Sequence, residues 1–184
     1  MMTDTGNVMG FRRIVTGHDQ NGRSIVIEDG TVREGGAGNF DFWMARPGEV
    51  ADDMPARMAQ QPFFPKTGQS FFRFFRIPPA DAALSHSDIE AFAHDLFAGF
   101  GIGECRVDTS RHPMMHRTPT TDFIVLLSGT ISLLLDKGQP IELRPFDVVV
   151  QQATNHAWLN TGGQDAVLVA VLCGQDKAGI SVNM

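Results

Sequence analysis

From about Met114 onward the chain repeats one pattern: a short run rich in β-branched and apolar residues, then a turn signal. The runs are TDFIVLLS, TISLLLD, QPIEL, DVVVQQ, HAWLN and AVLVAVLC, separated by SG, DKG, RPF, ATN and TGGQ. Runs this short cannot form long helices. Turn signals recurring every 8 to 12 residues or so are what an antiparallel sandwich or barrel produces. This spacing constrains the fold more than any other feature.

The N-terminal part extends the same architecture. FRRIVTGHDQNGRSIVIEDG predicts a hairpin, because the Asn-Gly of its DQNG turn tolerates the positive φ that a tight reversal needs. NFDFWMA and QSFFRFFRI follow as aromatic strands suited to a pleated, half-buried surface. One helix is expected over about residues 87–98, in SDIEAFAHDLFAGF, with Ser87 and Glu90 as a capping box and Gly99 or Gly101 as its stop. His94 within it, and His86 before it, read as surface histidines. The Gly-rich REGGAGN and the stretch from Met54 to Pro65 read as loops. The 184 residues are expected to form a single domain, with a core barrel over about 69–173 and strands over about 11–45 adding to the sheet or to a dimer interface.

Composition excludes several classes. A formal net charge of −6 with no basic run argues against a nucleic-acid partner. Arg73 and Arg76 in FFRFFR fall on opposite faces of a strand, so one should point inward; it could hold a carboxylate or enolate, but the favoured expectation is a salt bridge to Asp or Glu at a subunit interface. No window approaches a membrane span, and the first residues lack a secretory pattern, so a cytoplasmic protein without a membrane partner is expected. Cys105 and Cys173, without C-x-x-C spacing, read as reduced thiols. No G-x-S-x-G elbow and no nucleotide-binding glycine pattern occurs.

The chemistry concentrates in HRTPTTD and TNHAW. Strand alternation lets His116 and Thr118 face one side, and Asp122 faces the same side as Ile124 and Leu126. His156 opens a later strand, with Trp158 on its face. Burying ionisable groups is costly unless they are paired or bound to a cation. A set of His116, Asp122 and His156 converging inside a barrel would be a 2-His-1-carboxylate site for one divalent transition metal, Fe, Mn, Ni or Zn. Thr118, Trp158 and Met114 are the expected pocket residues, with Thr118 close to the ligands rather than among them. His112, after which Pro113 blocks regular pairing, and His18, beside the DQNG turn, are weaker candidates.

These residues resemble the cupins. The first cupin motif, G-x5-H-x-H-x3-4-E-x6-G, is similar to the stretch in which His116, Thr118, Asp122 and Gly129 occupy the two histidine, the acid and the closing glycine positions. The second, G-x5-P-x-G-x2-H-x3-N, is matched by His156 and Asn160. Ser110 stands for the leading glycine, Thr118 for a histidine, Asp122 for glutamate, and Pro145, Gln151 and Ala153 for the glycines and proline of the second motif. The H-R-T variant resembles a subgroup of small single-barrel cupins. The resemblance implies an all-β antiparallel jelly roll of six to eight strands, often a homodimer, with a metal near one mouth. It implies no particular reaction. Three readings therefore stand: a metal-dependent enzyme acting on a small oxygenated organic acid or aromatic compound, a non-catalytic small-molecule-binding barrel, and a metal-free isomerase or dehydratase using a histidine base.

Overall fold

Every run singled out above becomes a strand in the computed structural model, which describes residues 10–48 and 62–176. β1 (Gly10–His18) and β2 (Ser24–Arg33) form an antiparallel ribbon. Its reversal is fixed at the expected turn: the Asp19 carboxylate accepts from the N–H groups of Asn21 and Arg23, and Gly22 adopts φ +73°.

Ten strands and one helix make up the regular structure of the described residues, with a short 3-10 turn at Gly103–Cys105. β3 (Asn39–Ala45), β4 (Ser70–Ile77), β5 (Thr120–Ser128), β8 (Val148–Gln152) and β10 (Ala166–Gly174) form a five-stranded sheet in the order β3-β4-β10-β5-β8. β6 (Ile131–Leu135), β7 (Ile141–Leu143) and β9 (His156–Leu159) form a three-stranded one in the order β7-β6-β9. All pairings are antiparallel. The main core lies between the sheets: Phe71, Ile124, Leu126, Leu168 and Leu172 from the larger meet Ile131 and Leu143 from the smaller. Burying such side chains contributes about 1.5–3 kcal/mol each, which is what holds the two sheets face to face.

The helix α1 (His86–Gly99) begins two residues earlier than the capping box expected at Ser87 and Glu90. Ser85 is the cap: its Oγ accepts from the Asp88 N–H, and the Asp88 carboxylate accepts from the Ser85 N–H at 2.9 Å. Both serines have an acid three residues on, so the sequence alone did not separate them. The end is a Schellman motif, with Ile102 N–H donating to Phe97 O and Gly101 N–H to Ala98 O, Gly101 taking φ +68°. Ala93 and Phe97 pack with Ile102 and Cys105 into a second apolar cluster. Phe92, expected on the buried stripe, is instead 57% exposed. Neither Cys105 nor Cys173 forms a disulfide among the described residues. Among the described residues no helix is long and apolar enough to cross a membrane. Most of the loop expected at Met54 to Pro65 lies outside the described residues.

Candidate functional site

The structure brings His116 and His156 together. An isolated antiparallel bridge joins them, each N–H donating to the other's carbonyl at 2.9 Å, so His116 adds a further pairing beside β9. A bridge of this kind sets both side chains on one face. Their ring centroids lie 4.4 Å apart at 45°. Phe97 of α1 closes on His116 from one side at 4.9 Å, and Trp158 meets His156 edge-on at 5.8 Å.

The tautomer of each ring follows from its partner. His116 Nδ1 is 3.0 Å from Met114 O and His156 Nδ1 is 2.9 Å from Thr154 O. A carbonyl oxygen can only accept, so each Nδ1 carries the proton and each Nε2 keeps its lone pair. Backbone-anchored imidazoles with a free Nε2 are what a metal ligand or a general base requires. His156 is 4% exposed and His116 half-buried. Burial first, and then the neighbouring His116, lower the His156 pKa against the opposing Thr154 carbonyl, to about 3. His116 is lowered by the same burial, against its bond to Met114. Both rings are therefore neutral at pH 7.

Asp122 does not join them. Among the described residues no three His, Cys, Asp or Glu side chains stand close enough to hold a metal ion, so the expected triad is reduced to its histidine pair. The reason is register. Asp122 points inward, 6% exposed, but from the middle of the larger sheet, opposite Leu172 and Gln151, whereas the pair extends β9 of the smaller sheet. Burial raises the Asp122 carboxyl to about 6, partly offset by a hydrogen bond from Thr120 and by the charge of Arg73. Its Oδ1 is buried without a partner. Arg73 is the inward-facing arginine of FFRFFR, and its salt bridge is made within the chain, its Nε donating to Asp41 at 2.7 Å, rather than at a subunit interface.

The expected pocket residues divide. Thr118 is buried and shares a 2.8 Å hydroxyl–hydroxyl hydrogen bond with Thr120. Trp158 flanks His156 and packs on the main core. Met114 sits in a turn, closed by Met115 N–H donating to His112 O, so strand alternation does not apply to it. Its side chain joins the packing around α1 and around Met115. His112 is half-buried, and its Nδ1 accepts from the Met114 N–H. Phe97 was not among the expected site residues; its contact with His116 depends on how α1 docks, which helical periodicity alone does not specify.

The motif departures have a structural counterpart. Ala153, where the resemblance places glycine, keeps the left-handed backbone at φ +50°. Its N–H donates to Thr120 O, in the turn that delivers His156. Gly129 stands at φ +81°, where an added Cβ would lie 2.7 Å from Asp165 O. The closing glycine is thus required by a close backbone approach.

No family model matches the chain. Curated relatives match parts of it. A phomopsin biosynthesis cluster protein of Diaporthe leptostromiformis is 49% identical over 47 residues, 26% of this chain and 25% of that protein. An oryzines biosynthesis cluster protein of Aspergillus oryzae is 44% identical over 102 residues, 50% of this chain and 57% of the relative. A cupin-domain-containing oxidoreductase of Aspergillus ruber is 39% identical over 49 residues, 27% of this chain and 24% of the relative. The chain thus spans between about a quarter and just over half the length of these curated relatives. A solved cupin 2 conserved barrel domain protein from Salinispora arenicola covers 73% of this chain and 76% of its own, at 13% identity and a TM-score of 0.35. Two facing antiparallel sheets, with His116 and Asp122 in the first motif and His156 and Asn160 in the second, give the chain the fold expected from its resemblance to the cupins, and a cupin-domain-containing oxidoreductase is similar to it over 27% of this chain.

Proposed function

We propose that this chain is a cupin-type enzyme whose reactive centre is the His116–His156 pair, and that the pair holds one divalent transition metal through its two Nε2 atoms. The observation that carries this reading is the matched anchoring: each Nδ1–H is committed to a backbone carbonyl, which orients both Nε2 lone pairs and leaves them free. Burial, which keeps both rings neutral, favours the ligating form over imidazolium. Fit to a full 2-His-1-carboxylate set is incomplete, because Asp122 lies outside the pair. A metal held there would supply Lewis-acid polarisation of a substrate oxygen or, as iron, redox chemistry. The chain's own residues orient the imidazoles, and Phe97 and Trp158 screen the pair on two sides. The enzyme reading draws on the oxidoreductase named among the partial relatives. A small oxygenated organic acid or aromatic compound is the substrate class that we propose.

Protein purified without chelator is expected to carry near-stoichiometric Fe, Mn, Ni or Zn by elemental analysis, and His156→Ala to lose it. Less than about 0.1 equivalents, with no change in melting temperature on adding any of the four metals, overturns metal binding. A second reading takes one neutral imidazole, His116 or His156, as a general base without a metal, held by the backbone carbonyl at its Nδ1 rather than oriented by Asp122. Under that reading a chelator leaves turnover intact.

A further inference from the structure

A cleft of about 530 Å³ opens where the β1–β2 ribbon, the start of β3 and the C-terminal end of α1 meet. It shares no lining residue with the His116–His156 pair. Its charge runs against that of the whole molecule. In a chain of net charge −6, Arg13, Arg33 and Arg73 line the cleft against the single carboxylate of Asp41.

The pairing of these groups leaves donors over. Arg13 donates to Phe42 O at 2.9 Å and pairs with Glu28. Arg73 commits Nε to Asp41 and Nη1 to Phe63 O. With Glu28 counted, and Asp122, whose carboxyl feels the Arg73 charge, three carboxylates stand against three guanidinium groups, so what the cleft holds in surplus is hydrogen-bond donors. Among the described residues Arg73 Nη2 donates no hydrogen bond, and Arg33 is exposed with neither a hydrogen bond nor an ion pair. Concave walls concentrate such a field, and forked guanidinium donors suit a carboxylate better than a point cation does. Beside the arginines stands an apolar wall: Phe63 and Phe100 pack ring against ring at 4.6 Å, and the Arg73 guanidinium lies 4.9 Å over Phe63. The volume falls within the usual range for small-ligand sites, about 300–1,000 Å³.

We propose that this cleft binds a small organic carboxylate, its anionic group held by Arg33 and Arg73 and its aromatic or aliphatic body laid against Phe63 and Phe100. Charge alone would admit any anion. The ring wall selects one with an apolar body. The site stands apart from the metal reading, since Arg33 contributes nothing to the histidine pair.

The experiment is a calorimetric titration of the full chain with three probes: phenylacetate, its neutral isostere phenylacetamide, and inorganic phosphate. Phenylacetate is expected to saturate with a Kd of about 1 mM or tighter, and phenylacetamide not to saturate. Arg33→Glu is expected to weaken phenylacetate at least about tenfold while circular dichroism stays unchanged. If that variant fails to fold, Arg33→Gln takes its place, with weakening in the same direction expected. His156→Ala is expected to bind phenylacetate normally, which separates this site from the metal centre. Equal binding of the acid and its amide, unchanged affinity in the folded Arg33 variant, or no saturation up to about 10 mM overturns the proposal. Phosphate binding without phenylacetate binding overturns it as well, because the apolar wall would then play no part.

Discussion

At the scale of single residues, the two inward groups of opposite chemistry titrate in opposite senses. A neutral buried His156, with its pKa held to about 3, favours the folded state above the ordinary histidine value of 6.5 and ceases to do so as pH falls toward 3. Asp122 behaves in reverse. Its carboxyl loses its proton near 3.8 in the unfolded chain and near 6 in the fold, so its contribution is present below 3.8 and lost as pH rises through 6. A difference of that size corresponds to about 2–3 kcal/mol. Asp122→Asn, measured on metal-free protein, is therefore expected to raise the melting temperature at pH 7.5 and to leave it unchanged at pH 3.5. Equal shifts at both pH values would show that Asp122 carries no buried charge cost. The inward aim of Asp122 and the convergence of His116 with His156 were legible from alternation and spacing. That Asp122 stands beside Gln151 and Leu172 on the larger sheet was not, because cross-strand register is set by contacts far apart in the chain.

At the scale of elements, the strands were legible because each run is bounded by a turn whose chemistry is local. SG, DKG and TGGQ each separate two observed strands. Where two local signals compete, the sequence is ambiguous, as at Ser85 and Ser87. Where alternation is read through a turn, it misplaces a side chain, as at Met114. Ala153 shows a strain that the motif comparison only hints at. A left-handed alanine costs about 1–2 kcal/mol relative to the right-handed region, and glycine carries no such cost, though it loses more chain entropy on folding. Ala153→Gly is expected to stabilise the chain by about 0.5–1 kcal/mol in urea denaturation, with an unchanged m-value. A destabilised variant would mean that the Ala153 methyl contributes packing worth more than the backbone strain.

At the scale of the whole molecule, the larger sheet has an outer face that is apolar without being fully covered. Phe72, Val171, Phe123 and Val150 stand in register across β4, β10, β5 and β8, and each is between 36% and 51% exposed. Phe74, Val169, Val125 and Val148 form the adjacent row. The chain covers one end of this face itself: Phe11 of β1 packs on Phe40 and Phe74, and Phe42 packs on Phe72 and Phe74. Over β5 and β8 the described residues give no such cover, and Phe123, Val148 and Val150 are exposed. Contiguous apolar patches beyond a few hundred Å² are rare on monomers, and a flat two-row patch is well suited to a second copy related by a twofold axis. We expect a homodimer stacked through these faces, rather than joined strand to strand along β8, because the apolar residues run across four strands instead of along one. Sedimentation of the wild type at micromolar concentration should then give twice the 20.1 kDa chain mass. Phe123→Lys with Val150→Lys should give the single-chain mass, with the barrel still folded, since both side chains point away from the core. A double variant that stays dimeric would place the interface elsewhere, and a wild type that sediments as a monomer would leave this face without a partner copy.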